Sequence, residues 1–163
     1  MFYLFNNHIN GTIFKEVRFT QPVTLPLNFM MKICIIDDER ICSFLAQKLI
    51  KKLVPDSQIS HFSNGQEAID FIAQHRSIVW SLPELIFLDI NMPITNGWDF
   101  LDILQELKIS NYHPLIYISS SSQDVNDIEK AKTYSSVRGY LCKPLTPLML
   151  ERILDNTSHN CVC

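Results

Sequence analysis

No stretch of this chain approaches the roughly 18 consecutive apolar residues that a membrane-spanning helix needs. No positively charged amino-terminal region precedes an apolar run of signal-peptide length either. Membrane contact and export are therefore not expected, and a cytoplasmic location is. A surplus of positive charge is also missing. The 14 Lys and Arg residues are scattered and outweighed by 17 Asp and Glu, for a net charge of -3, so there is no nucleic-acid footprint. The five cysteines, Cys34, Cys42, Cys142, Cys161 and Cys163, are an odd number without framework spacing. Free thiols in a reducing compartment are the simplest account. His159, Cys161 and Cys163 find no second pair of ligands, and a frayed tail explains them better than a metal site.

What is present is enough for one domain with a substantial core: 163 residues, 47% hydrophobic and 19% charged. Four short apolar runs each end on a residue that carries chemistry. Ile33-Cys34-Ile35-Ile36 leads into Asp37-Asp38-Glu39, Leu85 to Leu88 into Asp89, Leu115 to Ile118 into Ser119, and Gly139 to Cys142 into Lys143. Continuous apolar runs of about four residues read as strands buried on both faces, the signature of a parallel sheet covered by helices. In such sheets ligands bind beyond the carboxyl ends of the strands, where strand order reverses. Three carboxylates, a hydroxyl and an ammonium are expected to converge there.

Carboxylates packed together repel, and their pKa values rise unless a cation is present. Oxygen-only donors select a hard cation, and the small number of carboxylates favours Mg2+ over Ca2+. Mg2+ beside a carboxylate and a lysine is equipment for phosphoryl transfer. The carboxylate can itself be the nucleophile, giving an aspartyl phosphate.

These residues make the chain resemble the receiver domains of the two-component response regulator family, close in extent to the single-domain chemotaxis regulators. The resemblance rests on Asp37-Asp38, on Asp89-Ile90-Asn91-Met92-Pro93-Ile94-Thr95-Asn96-Gly97, on Ser119, and on Tyr140-Leu141-Cys142-Lys143-Pro144, and it covers residues 32 to about 156. It implies that Asp89 is the phosphoacceptor and that Asp38, Asp89 and the backbone carbonyl of Asn91 ligate Mg2+, with Asp37 acting through water. It also implies that Lys143 and Ser119 bind phosphoryl oxygens, that Ser119 and Tyr140 form the switch, and that the Lys143–Pro144 bond is cis. The implied partners are a histidine kinase or histidine phosphotransfer protein and a downstream target protein. Taken singly, each residue has a plainer reading: Asp38 and Glu39 as helix caps, Asp89 as a turn residue, Ser119 as a loop residue, Lys143 as a solvated charge. It is their joint order at strand ends that favours the receiver.

Between the strands, Ile41, Phe44, Leu45, Leu49 and Leu53 make one helical apolar stripe, and Ala68, Ile69, Ile72 and Ala73 a second. Gln58 to Phe62 reads as a further strand. Asn96-Gly97 opens a third helix, Ser122 or Gln123 a fourth, and Thr146-Pro147 a fifth, with aromatic and Met positions read as core. Periodicity and resemblance together predict a flavodoxin-like, doubly wound α/β fold: a five-stranded parallel sheet of order 2-1-3-4-5 with five helices. Residues 1–30 read as a poorly ordered extension or a stretch upstream of the true start, with a docking arm on Ile13, Phe14, Val17 and Phe19 as the sharper reading. Residues 31–156 read as the receiver and 157–163 as a tail. Three stretches depart from the family pattern: Gln74 to Pro83 is long and contains Trp80, which is expected to pack on a loop or the core; Tyr134 to Arg138 is long and lacks a glycine; and the hydroxyl is Ser119 where Thr is commoner.

The chain stops about twenty residues after Lys143, and is expected to be a single-domain regulator read by another protein. The chief rival is a Mg-dependent aspartate-nucleophile phosphohydrolase. That chemistry needs a second Asp two residues after the nucleophile as general acid, and Asn91 stands there. A flavin-binding module would need a hydroxyl- and glycine-rich phosphate cradle after the first strand, where Asp37-Asp38-Glu39 would repel a phosphate.

Overall fold

Four apolar runs supply the interior, and their backbones pair side by side. The computed structural model describes residues 2–4 and 30–159. In chain order it forms β1 (Phe2–Leu4), β2 (Lys32–Ile36), α1 (Arg40–Leu53), β3 (Gln58–Phe62), α2 (Gly65–His75), a 3-10 turn (Val79–Ser81), β4 (Leu85–Leu88), α3 (Gly97–Glu106), β5 (Leu115–Ser120), α4 (Val125–Lys132), β6 (Val137–Cys142) and α5 (Pro147–His159). The sheet order is β1-β6-β5-β4-β2-β3. Its five parallel strands, β2 to β6, therefore run 2-1-3-4-5, as expected for the flavodoxin-like fold. The sixth strand, β1, lies antiparallel on β6 with Tyr3 opposite Tyr140, a pairing not foreseen from the sequence. Among the other expected features of the amino-terminal extension, the arm on Ile13, Phe14, Val17 and Phe19 lies outside the described residues.

Alternation along the strands splits the core in two. Cys34, Ile36, Ile86, Leu88, Ile116 and Ile118 face α2, α3 and α4, meeting Ile72, Phe100 and Ile128. Ile33, Ile35, Leu85, Phe87 and Tyr117 face α1 and α5, meeting Ile50, Leu150 and Ile153. Each fully buried Ile, Leu or Phe contributes about 1.5–3 kcal/mol, so both helical layers are held chiefly by this apolar contact.

Three local expectations are corrected. The α1 stripe turns its apolar start outward: Ile41, Phe44 and Leu45 are 76%, 55% and 52% exposed, and the buried positions are Ser43, Ala46 and Ile50. Apolar residues surround most of this helix, so periodicity alone did not select the inner arc, and Ser43 can lie inside because its hydroxyl donates to the Glu39 carbonyl at 2.8 Å. Trp80, expected to pack on core or loop, is 78% exposed. Its turn is closed by Ser81 N–H to Ile78 and Leu82 N–H to Val79, which drives Leu82 inward and Trp80 outward. Finally, α4 is capped by Asp124, whose side chain accepts from Asn126 N–H, because Ser122 is already engaged with Asp127 and Tyr140.

Candidate functional site

Backbone pairing brings the chemistry together before any side chain is considered. Ile36 pairs with Leu88, Leu88 with Ile118, and Ser119 and Ser120 with Leu141 and Cys142. The residues just past these pairs are thus neighbours. Hydrogen bonds fix them there: Asp37 N–H to Phe62 at 3.0 Å, Asp89 N–H to Ile36 at 2.9 Å, and Lys143 N–H to Ser120 at 2.9 Å. The Lys143–Pro144 peptide is cis. Asp37, Asp89, Ser119 and Lys143 all line one crevice of ≈ 210 Å³, whose other walls are largely apolar and include Leu45, Leu49, Phe87 and Leu145.

Lys143 is the electrostatic centre. Its Nζ lies 2.6 Å from Asp89 Oδ2 and 2.9 Å from Asp37 Oδ2, with all three side chains buried, and 3.8 Å from Glu39 Oε1. Burial opposes the ammonium, yet its bonds and attraction to Asp89 and Asp37 outweigh this and lift the Lys143 pKa above its ordinary value. Asp37 moves upward too: burial raises it, Lys143 and the Glu39 N–H offset only part of that, and the Asp89 charge adds to the rise. One cation therefore leaves the carboxylates under-compensated.

A hard cation fits what remains. One carboxylate oxygen from each of Asp37, Asp38 and Asp89 lies within 4.8 Å of the others, with Asp38 at the exposed mouth. The donor set is oxygen only, which suits Mg2+. Asn91 sits where its backbone follows directly from this cluster, its N–H donating to Asp89 Oδ1 at 3.1 Å. Ser119 is buried in the crevice wall. Tyr140, the expected switch aromatic, is fully buried, and its hydroxyl donates to the Ser122 carbonyl at 3.0 Å.

Two participants escaped the sequence reading. Glu39 was considered only as a cap; it occupies the amino-terminal cap position of α1 without a capping side-chain bond, and its carboxylate instead accepts from the Cys42 thiol at 3.0 Å and reaches toward Lys143. The thiol bond, ahead of the nearby Lys143 charge, lowers the Glu39 pKa. Gly97 was read as a helix start, whereas a Cβ there would lie 2.3 Å from the Asp89 carbonyl oxygen. Only glycine lets α3 sit directly on the backbone of Asp89.

Comparison with known proteins agrees with this geometry. The family model described as "Response regulator receiver domain" matches residues 33–155. An uncharacterized response regulatory protein of Staphylococcus epidermidis is 36% identical over 132 residues, covering 77% of this chain and 46% of that protein. The transcriptional regulatory protein HptR of Staphylococcus aureus is 34% identical over 131 residues, covering 77% and 45%. The chain thus spans about half the length of these curated relatives. A two-component response regulator from Cytophaga hutchinsonii superposes with a TM-score of 0.72 at 27% identity over 80% of this chain and 98% of that one. The Vibrio cholerae chemotaxis protein CheY4 superposes at 0.64 with 20% identity, over 78% and 98%, a likeness of fold.

Proposed function

The chain belongs to the response regulator receiver domain family, a signalling family, and from that premise we propose that it accepts a phosphoryl group on Asp89 from a histidine kinase or histidine phosphotransfer protein and signals through a phosphorylation-dependent protein interface. The carrying observation is Lys143, buried between Asp37 and Asp89 at the ends of adjacent strands. In the proposed step an Asp89 carboxylate oxygen attacks phosphorus, the bond from phosphorus to the donor imidazole nitrogen breaks, and that nitrogen keeps the electron pair. Lys143 then exchanges its contact with the carboxylate for one with a phosphoryl oxygen, and Ser119 donates to another. Asp38, Asp89 and the Asn91 carbonyl would hold Mg2+, with Asp37 acting through water, and the ion would neutralise charge on the transferring group.

Exposed apolar residues support a protein donor: Leu45 of α1 lines the crevice, and Ile41 and Phe44 on the same helix and Leu148 on α5 are also exposed, a surface that a partner can cover. Asn91 at the general-acid position argues against the phosphohydrolase reading, since an amide cannot protonate a leaving group. In the switching step, contacts of the phosphoryl group with Ser119 and Lys143 favour one arrangement of α4, β6 and α5, with Tyr140 held inside. We place the reaction in the cytoplasm, where the free thiols of Cys34, Cys42 and Cys142 remain reduced, and where the output is a protein. No described helix is long and apolar enough to cross a membrane. Residues 31–156 form the receiver unit in this reading.

Phosphotransfer profiling against purified histidine kinases and phosphotransfer domains tests the proposal. A cognate donor should load the wild type within the first minutes and leave Asp89→Asn unlabelled. Transfer to Asp89→Asn at the wild-type level would contradict the proposal.

A further inference from the structure

Helix α4 is attached very differently at its two ends. Of its eight residues only Ile128 and Ala131 are buried. Its amino-terminal side is wired to the crevice: Ser122 N–H donates to Ser120 Oγ at 3.2 Å, Ser122 Oγ donates to Asp127 at 2.6 Å, and the Tyr140 hydroxyl donates to the Ser122 carbonyl. Its carboxyl-terminal side is fastened to α3 instead. The Trp98 ring stacks on Tyr134, with centroids 5.9 Å apart and planes at 21°. Lys130 Nζ lies 4.5 Å from the Trp98 centroid. The Tyr134 hydroxyl donates to Asp102 Oδ1 at 2.9 Å, and Tyr134 N–H continues the helix by donating to the Ala131 carbonyl.

The α3 side of this clasp is tied to the backbone beside Asp89. Asn96 Oδ1 caps the N–H groups of Trp98 and Asp99, Gly97 N–H donates to the Ile90 carbonyl at 3.2 Å, and Gly97 abuts the Asp89 carbonyl. Stacking, cation–π attraction and a bond to a carboxylate act together on a helix with little other burial. A pull on Ser120 therefore reaches the Ser122 end of α4, while the clasped end stays with α3.

Resting on the phosphoryl-switch reading above, we infer that Trp98, Lys130 and Tyr134 form a pivot, so that phosphorylation swings the Ser122 end of α4 about a fixed Tyr134 end. Trp98 and Tyr134 are thus positioning residues, and neither touches the reacting atoms.

The test is amide hydrogen exchange on the full chain, with Mg2+ and with or without beryllofluoride, in the wild type, in Tyr134→Leu, and in the Lys130→Met/Tyr134→Phe double variant, which keeps the stacked volume but removes the cation and the hydroxyl bond. In the wild type the beryllofluoride-dependent change should concentrate in residues 119–128 and stay below about twofold in 129–136. In both variants it should spread, reaching about threefold or more in 129–136. A merely structural clasp would raise exchange equally with and without beryllofluoride, leaving the difference unchanged, and that result overturns the pivot. A wild-type response spread evenly over 119–136 also overturns it. No wild-type response anywhere would instead remove the phosphoryl-switch reading on which the pivot stands.

Discussion

The crevice around Asp89 and the flank around α4 lie side by side yet are built to opposite standards. In the crevice Asp37, Asp89 and Lys143 are bonded through their backbone N–H groups to a neighbouring strand, and α3 is pressed against the Asp89 carbonyl. The α4 helix rests on two buried side chains and a surface clasp. The difference suits the proposed function. Phosphoryl transfer would need groups held in register, whereas a signal would need an element whose two arrangements differ little in free energy. On that proposal, stability is concentrated at the site of the chemistry and withheld from the element that carries the message.

The largest expected effect attacks the fixed side. Gly97→Ala places a methyl group 2.3 Å from the Asp89 carbonyl oxygen, forcing α3 away from the sheet, and should cost about 3 kcal/mol or more. Thermal unfolding would register this as a loss of roughly 10 °C or more. An unchanged midpoint would mean that the α3 contact is soft and the comparison false.

Lys143→Met comes next. It strands two buried carboxylates, which in Mg-free buffer at neutral pH should cost about 3 kcal/mol. The deficit should shrink as pH falls and the carboxylates take up protons. A deficit that stays constant with pH would argue that the lysine stem, not its charge, carries the effect.

Asp37 sharpens the electrostatic side with the opposite sign. Because its folded pKa is raised, the folded state binds the proton more tightly than the unfolded state does. Stability should therefore fall as pH rises from the ordinary Asp value through the folded value. Asp37→Asn should remove this dependence and be at least as stable as the wild type in Mg-free buffer at neutral pH, while losing part of the stabilisation by Mg2+ expected of the wild type. Denaturant titrations with and without the ion would show both. A variant less stable than the wild type at neutral pH would contradict the assignment.

The smallest effect is expected at Ser119, in the crevice wall on the strand that leads to the pliant side. Ser119→Ala removes one hydroxyl and should change stability by no more than about 1 kcal/mol. Asp89 should still be phosphorylated at a similar rate, since the nucleophile, the metal-binding carboxylates and Lys143 are intact. The change in α4 exchange on adding beryllofluoride should weaken. Loss of labelling in this variant would place Ser119 among the residues of the transfer step.

Much of the fixed side was legible in the sequence. Buried parallel strands demand apolar runs, and a residue that stops such a run is marked as sitting at the sheet's end, so Asp37, Asp89, Ser119 and Lys143 could be read together. The pliant side was far less legible. Tyr134 and Trp98 are 36 positions apart by residue number, and nothing local pairs them. Ile41, Phe44 and Leu45 mimic a core stripe although they face outward, because an exposed apolar patch has the same composition as one packed in the interior. Glu39 was hidden for a third reason: a carboxylate before a helix fits a cap so well that its reach toward Lys143 leaves no separate trace. The edge strand β1 was missed since three residues carry too little pattern to be read.

The central claim, that the fixed crevice exists to place a phosphoryl group on Asp89, is tested most directly by intact-mass measurement after incubation with acetyl phosphate and Mg2+. The wild type should gain one phosphoryl group, lose it slowly once the donor is removed, and gain none when Mg2+ is chelated; Asp89→Asn should gain none under any condition. An adduct of equal yield on Asp89→Asn, or a wild type that stays unmodified with the donor and Mg2+ in excess, would contradict the account.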